Sequence, residues 1–180
     1  MELVYYPDPR LREVSKKILQ IDEAIREAVP EMFDIMYRSR GIGLAGPQAG
    51  LNRRVVVANL SGDREEKGLE QVFINPEIVE RRGEKREEEG CLSLPGMAPL
   101  ITRAEAVRVR YKTLEGELVE RDAEGLEAKL FQHEIDHLDG IPLVDKMTAA
   151  DKRQWAPLLR ELEEEYEAAA KKKPRGKAAR

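Results

Sequence analysis

The chain contains two histidines, and they lie four residues apart with a glutamate directly after the first. Residues 132–137 read Gln-His-Glu-Ile-Asp-His, which puts His133 and His137 on one face of a helix, one turn apart, with Glu134 beside them. Two imidazoles at this spacing can bind one metal ion, and the neighbouring carboxylate can accept a proton from a metal-bound water. The pattern indicates metal-assisted hydrolysis.

A catalytic divalent metal ion usually has three protein ligands, so the histidines leave one position to fill. A third histidine, as in one class of metalloproteases, is excluded because Leu143 stands where it would lie. Glu161 or residues 163–165 could serve from a later helix, although they look like a solvated helix face. The other candidate is Cys91, which lies in a segment bordered by glycines.

Cys91 is the only cysteine of the chain, so it cannot form an internal disulfide. Taken alone it could be a small buried hydrophobic residue. A histidine pair that lacks its third ligand makes metal binding the better interpretation. One sulfur with two imidazoles suits Zn(II) or Fe(II).

The composition is that of a globular protein: 180 residues, 41% of them hydrophobic, favour a single domain over 1–170. A net charge of -4 argues against a protein that coats DNA. The chain begins without a signal-like segment and has no apolar run long enough to cross a bilayer, so we expect a cytoplasmic enzyme without a membrane partner. Residues 171–180 are basic and predict a disordered tail.

Hydrophobic periodicity predicts the elements around the motif. Residues 22–39 form an amphipathic helix with Asp22 as N-cap and with Pro30 causing a kink or a late start. Residues 41–50 contain too many glycines and prolines to form a helix or an ordinary strand. Five strands are predicted, at 54–60, 71–75, 78–82, 106–112 and 118–123.

The motif itself lies on a predicted buried helix over 126–139, which Gly140 closes. A hairpin turn over 113–116 is predicted to join the last two strands. Thr148 resembles a helix cap and opens a final charged helix that reaches about residue 170, which Pro157 is expected to bend or divide.

Three segments in the same order resemble the peptide deformylase family. They are residues 41–48 (Gly-Ile-Gly-Leu-Ala-Gly-Pro-Gln), 89–93 (Glu-Gly-Cys-Leu-Ser) and 132–140 (Gln-His-Glu-Ile-Asp-His-Leu-Asp-Gly), and the likeness extends from about residue 6 to 144. The resemblance implies an α+β fold, with antiparallel sheets packed around the helix that carries the two histidines and with a C-terminal helix. It also implies removal of the formyl group from the N-terminal formylmethionine of new polypeptides.

The resemblance also assigns roles residue by residue. It implies that one divalent metal ion, Fe(II) rather than Zn(II), is bound by three ligands and that a metal-bound water attacks the formyl carbon. The implied metal ligands are Cys91, His133 and His137, the general base and acid is Glu134, and the donors to the carbonyl oxygen are Gln48 and the backbone N–H of Leu92. Gly43 is implied to pair with the extended substrate; Ile42, Leu126 and Leu130 are candidate walls for the methionine side chain, or plain core.

Some expectations go beyond these roles. A pairing of Asp136 with Arg103 is a hypothesis for a contact that supports the ligands. Gly46 stands where the family usually has alanine, so we expect a looser loop. The resemblance suggests transient ribosome contact through the final helix and the basic tail. The rival functions are a general zinc metallopeptidase and a metal-binding module without turnover.

Overall fold

The computed structural model describes residues 1–172; the rest of the predicted tail, 173–180, lies outside the described residues. The helices are α1 (Glu23–Arg38), α2 (Gly125–Leu138), α3 (Leu143–Lys146) and α4 (Ala149–Lys172). The strands are β1 (Gly43–Ala45), β2 (Val55–Ala58), β3 (Gln71–Arg82), β4 (Lys85–Glu88), β5 (Leu100–Arg103), β6 (Ala106–Lys112) and β7 (Leu118–Glu124). Short 3-10 helices cover Pro9–Arg12, Gly46–Ala49 and Lys67–Leu69.

The described strands form two antiparallel sheets, which confirms the predicted α+β class. One sheet has the order β1-β2-β3-β6-β7, and the other pairs β4 with β5. Strict alternation in β6 buries Val107 and Val109 and turns Arg108 and Arg110 outward. The hairpin between β6 and β7 closes as predicted, with the Gly116 N–H donating to the Thr113 carbonyl at 3.0 Å.

Helix α2 packs against one face of the larger sheet, and this packing fixes the position of the motif. Phe131 of α2 contacts Phe73 edge-on, with 4.7 Å between ring centroids. Gly140 ends the helix in the left-handed region at φ 72°, and the Ile141 N–H donates back to the Asp136 carbonyl at 2.9 Å. The predicted helix and its glycine cap are both confirmed.

Helix α1 covers the opposite face. Met32 and Met36 are fully buried and pack with Val55 and Val57 of β2, whereas Val56 between them belongs to the core under α2. Because both faces of β2 are covered, this strand is a continuous apolar run rather than an alternating one.

The predicted helix caps are present, and both prolines lie inside continuous helices. The Asp22 carboxylate accepts the Ile25 N–H at 3.1 Å, and α1 starts at Glu23 with Pro30 inside it, so a late start is wrong. Thr148 caps α4, and its hydroxyl accepts the Asp151 N–H at 3.1 Å. Pro157 does not divide α4, because a proline removes only one of many helical hydrogen bonds.

Two predicted strands, 71–75 and 78–82, are one strand, β3. Asn75 has a positive φ of 51° and lies where the register with β6 shifts. Its side chain holds this conformation: the amide donates to the Ile18 carbonyl at 2.7 Å, and the amide oxygen accepts the Ile18 N–H at 2.8 Å. Strands β4 and β5 and helix α3 were not predicted; β4 consists entirely of charged residues, which local propensity assigns to loops.

For the Gly- and Pro-rich residues 41–50 the sequence predicted neither a helix nor an ordinary strand. That prediction was wrong, because the segment contains strand β1 and a 3-10 helix. Its Gly46 does not loosen the loop. A Cβ at this position would lie 2.5 Å from the carbonyl oxygen of Arg53 and 2.7 Å from that of Leu51. The backbone of 51–53 thus occupies the space of the missing methyl group, and alanine would have to displace it.

The helices of the described part of the chain include none with the length and apolarity needed to span a bilayer.

Candidate metal centre and active site

Cys91, His133 and His137 converge, although 41 residues of chain lie between the cysteine and the first histidine. The His137 Nε2 lies 3.2 Å from the Cys91 Sγ and 3.2 Å from the His133 Nε2. Helix α2 presents the two imidazoles one turn apart, and the loop after β4 presents the sulfur. Among the described residues, this is the group of His, Cys and acidic side chains that could hold a metal ion.

The alternative third ligands lie elsewhere. Glu163 of α4 accepts a hydrogen bond from the Tyr6 hydroxyl at 2.8 Å. Its neighbours on α4 are not part of the convergent group. The glutamates therefore belong to the helix surface and its contact with the N-terminal segment.

The donor atoms fit a metal ion in both spacing and charge. Tetrahedral coordination at about 2.0 to 2.1 Å from each nitrogen separates the two nitrogens by about 3.3 Å, close to the spacing observed. The pKa of His133 is raised well above its usual value because, although burial lowers it, the Cys91 sulfur and Glu89 raise it more. Burial and the charge of His133 lower the pKa of His137. These two directions mean that, without a metal ion, the cluster favours a single proton-borne positive charge, on His133. A bound cation would supply positive charge at the same place.

Glu89 orients the first imidazole from behind. Its Oε1 lies 2.6 Å from the His133 Nδ1, which leaves the Nε2 directed at the other donors. Arg103 donates to the same carboxylate twice, at 2.9 Å from Nε and 2.7 Å from Nη2. Both charged side chains are less than a tenth exposed. Burial raises the pKa of Glu89, but its bonds to Arg103 and His133 outweigh this and lower the pKa to about 2.

The predicted pairing of Asp136 with Arg103 is confirmed by a direct hydrogen bond from Nη1 to Oδ2. Arg103 thus joins a loop residue, Glu89, to the helix that carries both histidines. Sequence reasoning missed Glu89, although it is the acidic residue of the 89–93 segment and lies two positions before the cysteine.

Glu134 lies beside the cluster with an unused oxygen. Among the described residues, its Oε2 is buried without a hydrogen-bond partner, as is the Nδ1 of His137. Burial raises the pKa of Glu134 to about 7. A Cβ on Gly43 would lie 2.7 Å from the Glu134 Oε1, so only glycine leaves this carboxylate its present position. The unpaired carboxylate oxygen is free to exchange a proton.

Gln48 faces the sulfur with its amide in a defined orientation. The amide oxygen accepts the Ala45 N–H at 2.8 Å, which turns the NH₂ group toward Ser93 Oγ at 3.3 Å and Cys91 Sγ at 3.6 Å. Leu92 packs its side chain against Gly41, where an added Cβ would lie 2.5 Å from the leucine Cδ1. The loops of 41–48 and 89–93 are therefore in direct contact at the site.

A cavity of about 710 Å³ opens over these groups. Its walls include all the predicted substrate-binding residues: Ile42, Gly43, Leu126 and Leu130. Leu130 is 5% exposed and belongs to the wall, whereas Leu126 is 49% exposed and stands at the opening. The structure brings these residues together with Gln48, Leu92 and Glu134 around one space.

The family model for polypeptide deformylase matches residues 1–153. This chain belongs to the polypeptide deformylase family. A peptide deformylase of Neisseria gonorrhoeae is 49% identical over 148 residues, which cover 82% of this chain and 87% of the relative. One of Alkalilimnicola ehrlichii is 45% identical over 164 residues, 90% of each chain.

Solved structures of deformylases share the fold. The crystal structure of the Plasmodium falciparum peptide deformylase superposes with a TM-score of 0.90 at 39% identity, covering 93% of this chain and 98% of that one. Arabidopsis thaliana peptide deformylase 1B in complex with an inhibitor has a TM-score of 0.88 at 39% identity, covering 94% and 93%. The family relationship thus spans the whole site, and the family match ends shortly after α4 begins.

We predict that Glu89→Gln weakens metal affinity about 10- to 100-fold, because an amide orients His133 less strongly than a carboxylate does. The free energy of unfolding should fall by roughly 3 kcal/mol, because Arg103 stays buried with one charge partner fewer. Competition with a chelator measures the first effect and urea unfolding the second. Glu87→Gln, which removes an exposed carboxylate paired with Lys85, is the matched control. Equal effects of the two substitutions would contradict the role of Glu89.

A second prediction concerns pH. In chelator-treated protein, Glu134 has a pKa of about 7, whereas an unfolded chain gives about 4.3. Between about pH 4.3 and pH 7 the Glu134 carboxyl is protonated in the folded state but largely ionised in the unfolded chain. The contribution of Glu134 to the free energy of unfolding therefore falls as pH rises through this range. Glu134→Gln cannot ionise and should be more stable than the natural protein above pH 7 by up to about 3 kcal/mol. Urea unfolding at about pH 4, below the pKa of the unfolded chain, should find the difference nearly closed; a difference independent of pH would refute the assignment.

Proposed function

We propose that this chain removes the formyl group from the N-terminal formylmethionine of newly synthesised polypeptides and releases formate. One observation carries the proposal: within residues 1–172, Glu134 keeps a buried, unpaired oxygen beside one sulfur and two imidazole nitrogens that converge next to a cavity. Residues 1–170 act as a single catalytic domain.

In this proposal Cys91, His133 and His137 hold one divalent metal ion. The ion supplies Lewis acidity, lowering the pKa of a water molecule toward about 7 so that hydroxide is available at neutral pH. The family resemblance favours Fe(II), and the same donors suit Zn(II). Glu89 and Arg103 keep the His133 ring in the orientation that binds it.

Glu134 transfers the proton that the hydrolysis requires. Its carboxylate accepts a proton from the attacking water and donates it to the amine nitrogen as the C–N bond breaks. Burial of Glu134 raises its pKa, which makes the carboxylate a better proton acceptor. General acid and base catalysis of this kind contributes about 10²- to 10⁴-fold.

Gln48 and Leu92 stabilise the negative charge that develops on the formyl oxygen. The Gln48 NH₂ group is already directed at the site because its oxygen is held by Ala45. The Leu92 N–H is the second donor in the proposal. Each such donor contributes about 3 to 4 kcal/mol in comparable sites.

The substrate adds to the sheet at Gly43. In the described sheet β1 pairs with β2 and is an edge strand, so an extended peptide can bond to its outer side. The methionine side chain then contacts the cavity wall formed by Ile42, Leu126 and Leu130.

The proposed location is the cytoplasm, where nascent chains carry the formyl group. Ribosome contact is proposed through α4 and the basic residues 171–180. Lys152, Arg153 and Arg160 are exposed on α4 and could reach RNA phosphates.

The decisive experiment measures formate release from a formyl-Met peptide by protein purified without air, with its metal content determined on the same sample. We expect release from the formyl peptide, none from its acetyl counterpart, and iron in the protein. Glu134→Gln should keep the metal and lose about 10²-fold or more in turnover. Cleavage of internal peptide bonds would instead indicate a metallopeptidase, and metal binding without any turnover would indicate a binding module.

Ribosome contact has its own test. Deletion of residues 171–180 should weaken ribosome binding in a cosedimentation assay, and binding by the full chain should fall steeply as salt rises. Binding that is unchanged by the deletion and insensitive to salt would rule out a contact through the tail.

A further inference from the structure

The opening of the catalytic cavity carries an excess of positive charge. Arg38, Arg40 and Lys129 line it, whereas among the described lining residues Glu88 is the exposed acid. Glu89 also lines the cavity, but its charge is already balanced by Arg103. The part of a bound peptide that extends out of the cavity therefore lies near more positive than negative side chains.

Nearby acids neutralise this positive charge only in part. Arg38 pairs with Asp34 at 3.1 Å, but Arg64 pairs with the same carboxylate at 2.6 Å, so one anion serves two cations. Arg40 is exposed and has no ion pair within residues 1–172. Lys129 donates to the main-chain carbonyl of Glu88 at 3.2 Å, and Glu87, whose pKa is lowered by Lys85, is close enough for Lys129 to lower that pKa further.

Arg40 occupies a position that ordinarily requires glycine. The Arg40 N–H donates to the Tyr37 carbonyl at 3.0 Å and the Gly41 N–H to the Met36 carbonyl at 2.9 Å, which is the glycine-capped ending of an α-helix. Arg40 takes the left-handed conformation in this cap, with φ 58°. A long side chain there costs stability that glycine would not, and such strain is concentrated at functional sites.

Arg40 lies close to the edge strand that is proposed to bind the substrate. Gly43 lies three residues after Arg40, and both residues line the same cavity. A peptide whose methionine lies at Gly43 and whose chain continues to the cavity opening therefore passes close to Arg40. Lys129 borders the same space from α2.

We propose that Arg40 and Lys129 select substrates with acidic side chains in the first three positions after the methionine. This inference rests on the proposed function and adds to it a preference among polypeptides. The interaction is an exposed charge pairing, so it acts on substrate affinity, and thus on KM more than on kcat, and it weakens with salt.

The test compares three formyl-Met peptides that carry Asp, Gln or Lys at the second and third positions after methionine, each with an amidated C-terminus. At low salt we expect kcat/KM for the acidic peptide to exceed that for the basic one roughly five- to tenfold. The ratio should approach one near 1 M salt, where the screening length is about 3 Å.

Substitutions locate the preference. Arg40→Asn removes the charge with a residue that tolerates the left-handed conformation, and it should lower the acidic-to-basic ratio about threefold. Arg40→Glu should reverse the preference, and Lys129→Gln should reduce it. Arg26→Glu is the matched control: it makes the same charge change on α1, twelve residues and about 18 Å from the cavity end of the helix, and should leave the ratio unchanged.

The outcomes separate the two proposals. Hydrolysis of the neutral peptide with equal kcat/KM for the acidic and basic peptides would overturn the charge preference and leave the proposed function intact. A preference that survives Arg40→Asn and Lys129→Gln together would overturn the assignment to these residues. Absence of formate from all three peptides would overturn the proposed function and the preference with it.

Discussion

The buried ion pair between Glu89 and Arg103 is the interaction on which the site depends. It brings a carboxylate into the interior, and that carboxylate would be costly to bury without the two bonds from the guanidinium. Glu89 then has an oxygen left for His133, so the charge that is stabilised by arginine also sets the imidazole orientation. Arg103 reaches Asp136 on the same helix, and the network thus connects the cysteine loop, β5 and α2.

The rest of the fold holds the partners of this network in place. Helix α2 cannot shift along the sheet, because Phe131 is packed against the aromatic rings of β3 and β6. At its end Arg54 pairs with Asp139 at 2.6 Å and donates to the Leu138 carbonyl, which fixes the helix terminus to β2. Metal donors on a rigid helix and a braced loop are preorganised, so little ordering is left for the binding step.

Two residues that line the cavity are held in states that cost stability. Glu134 keeps an unpaired buried oxygen, and Arg40 keeps a left-handed backbone at the cavity opening. Gly43 and Gly41 leave space that Glu134 and Leu92 fill, so the glycine segment makes room for these two side chains at the cavity. Gly46 has a different reason: the backbone of 51–53 occupies its side-chain space, and the tight turn is part of the scaffold.

Local pattern determined much of this protein before any coordinates. The spacing of the two histidines, the alternation in β6 and the Asp22 and Gly140 caps each depend on neighbours within a few residues, and each was predictable. The convergence of Cys91 with the two histidines was predictable too, because a histidine pair needs a third ligand to hold a metal ion and the chain has one cysteine. Tertiary structure alone decided the pairing of Glu89 with Arg103, the charged strand β4 and the joining of β3 through Asn75. These features arise from burial and from contacts between residues distant in sequence. A local sequence pattern does not predict which charged residue is buried or which residue pairs with it.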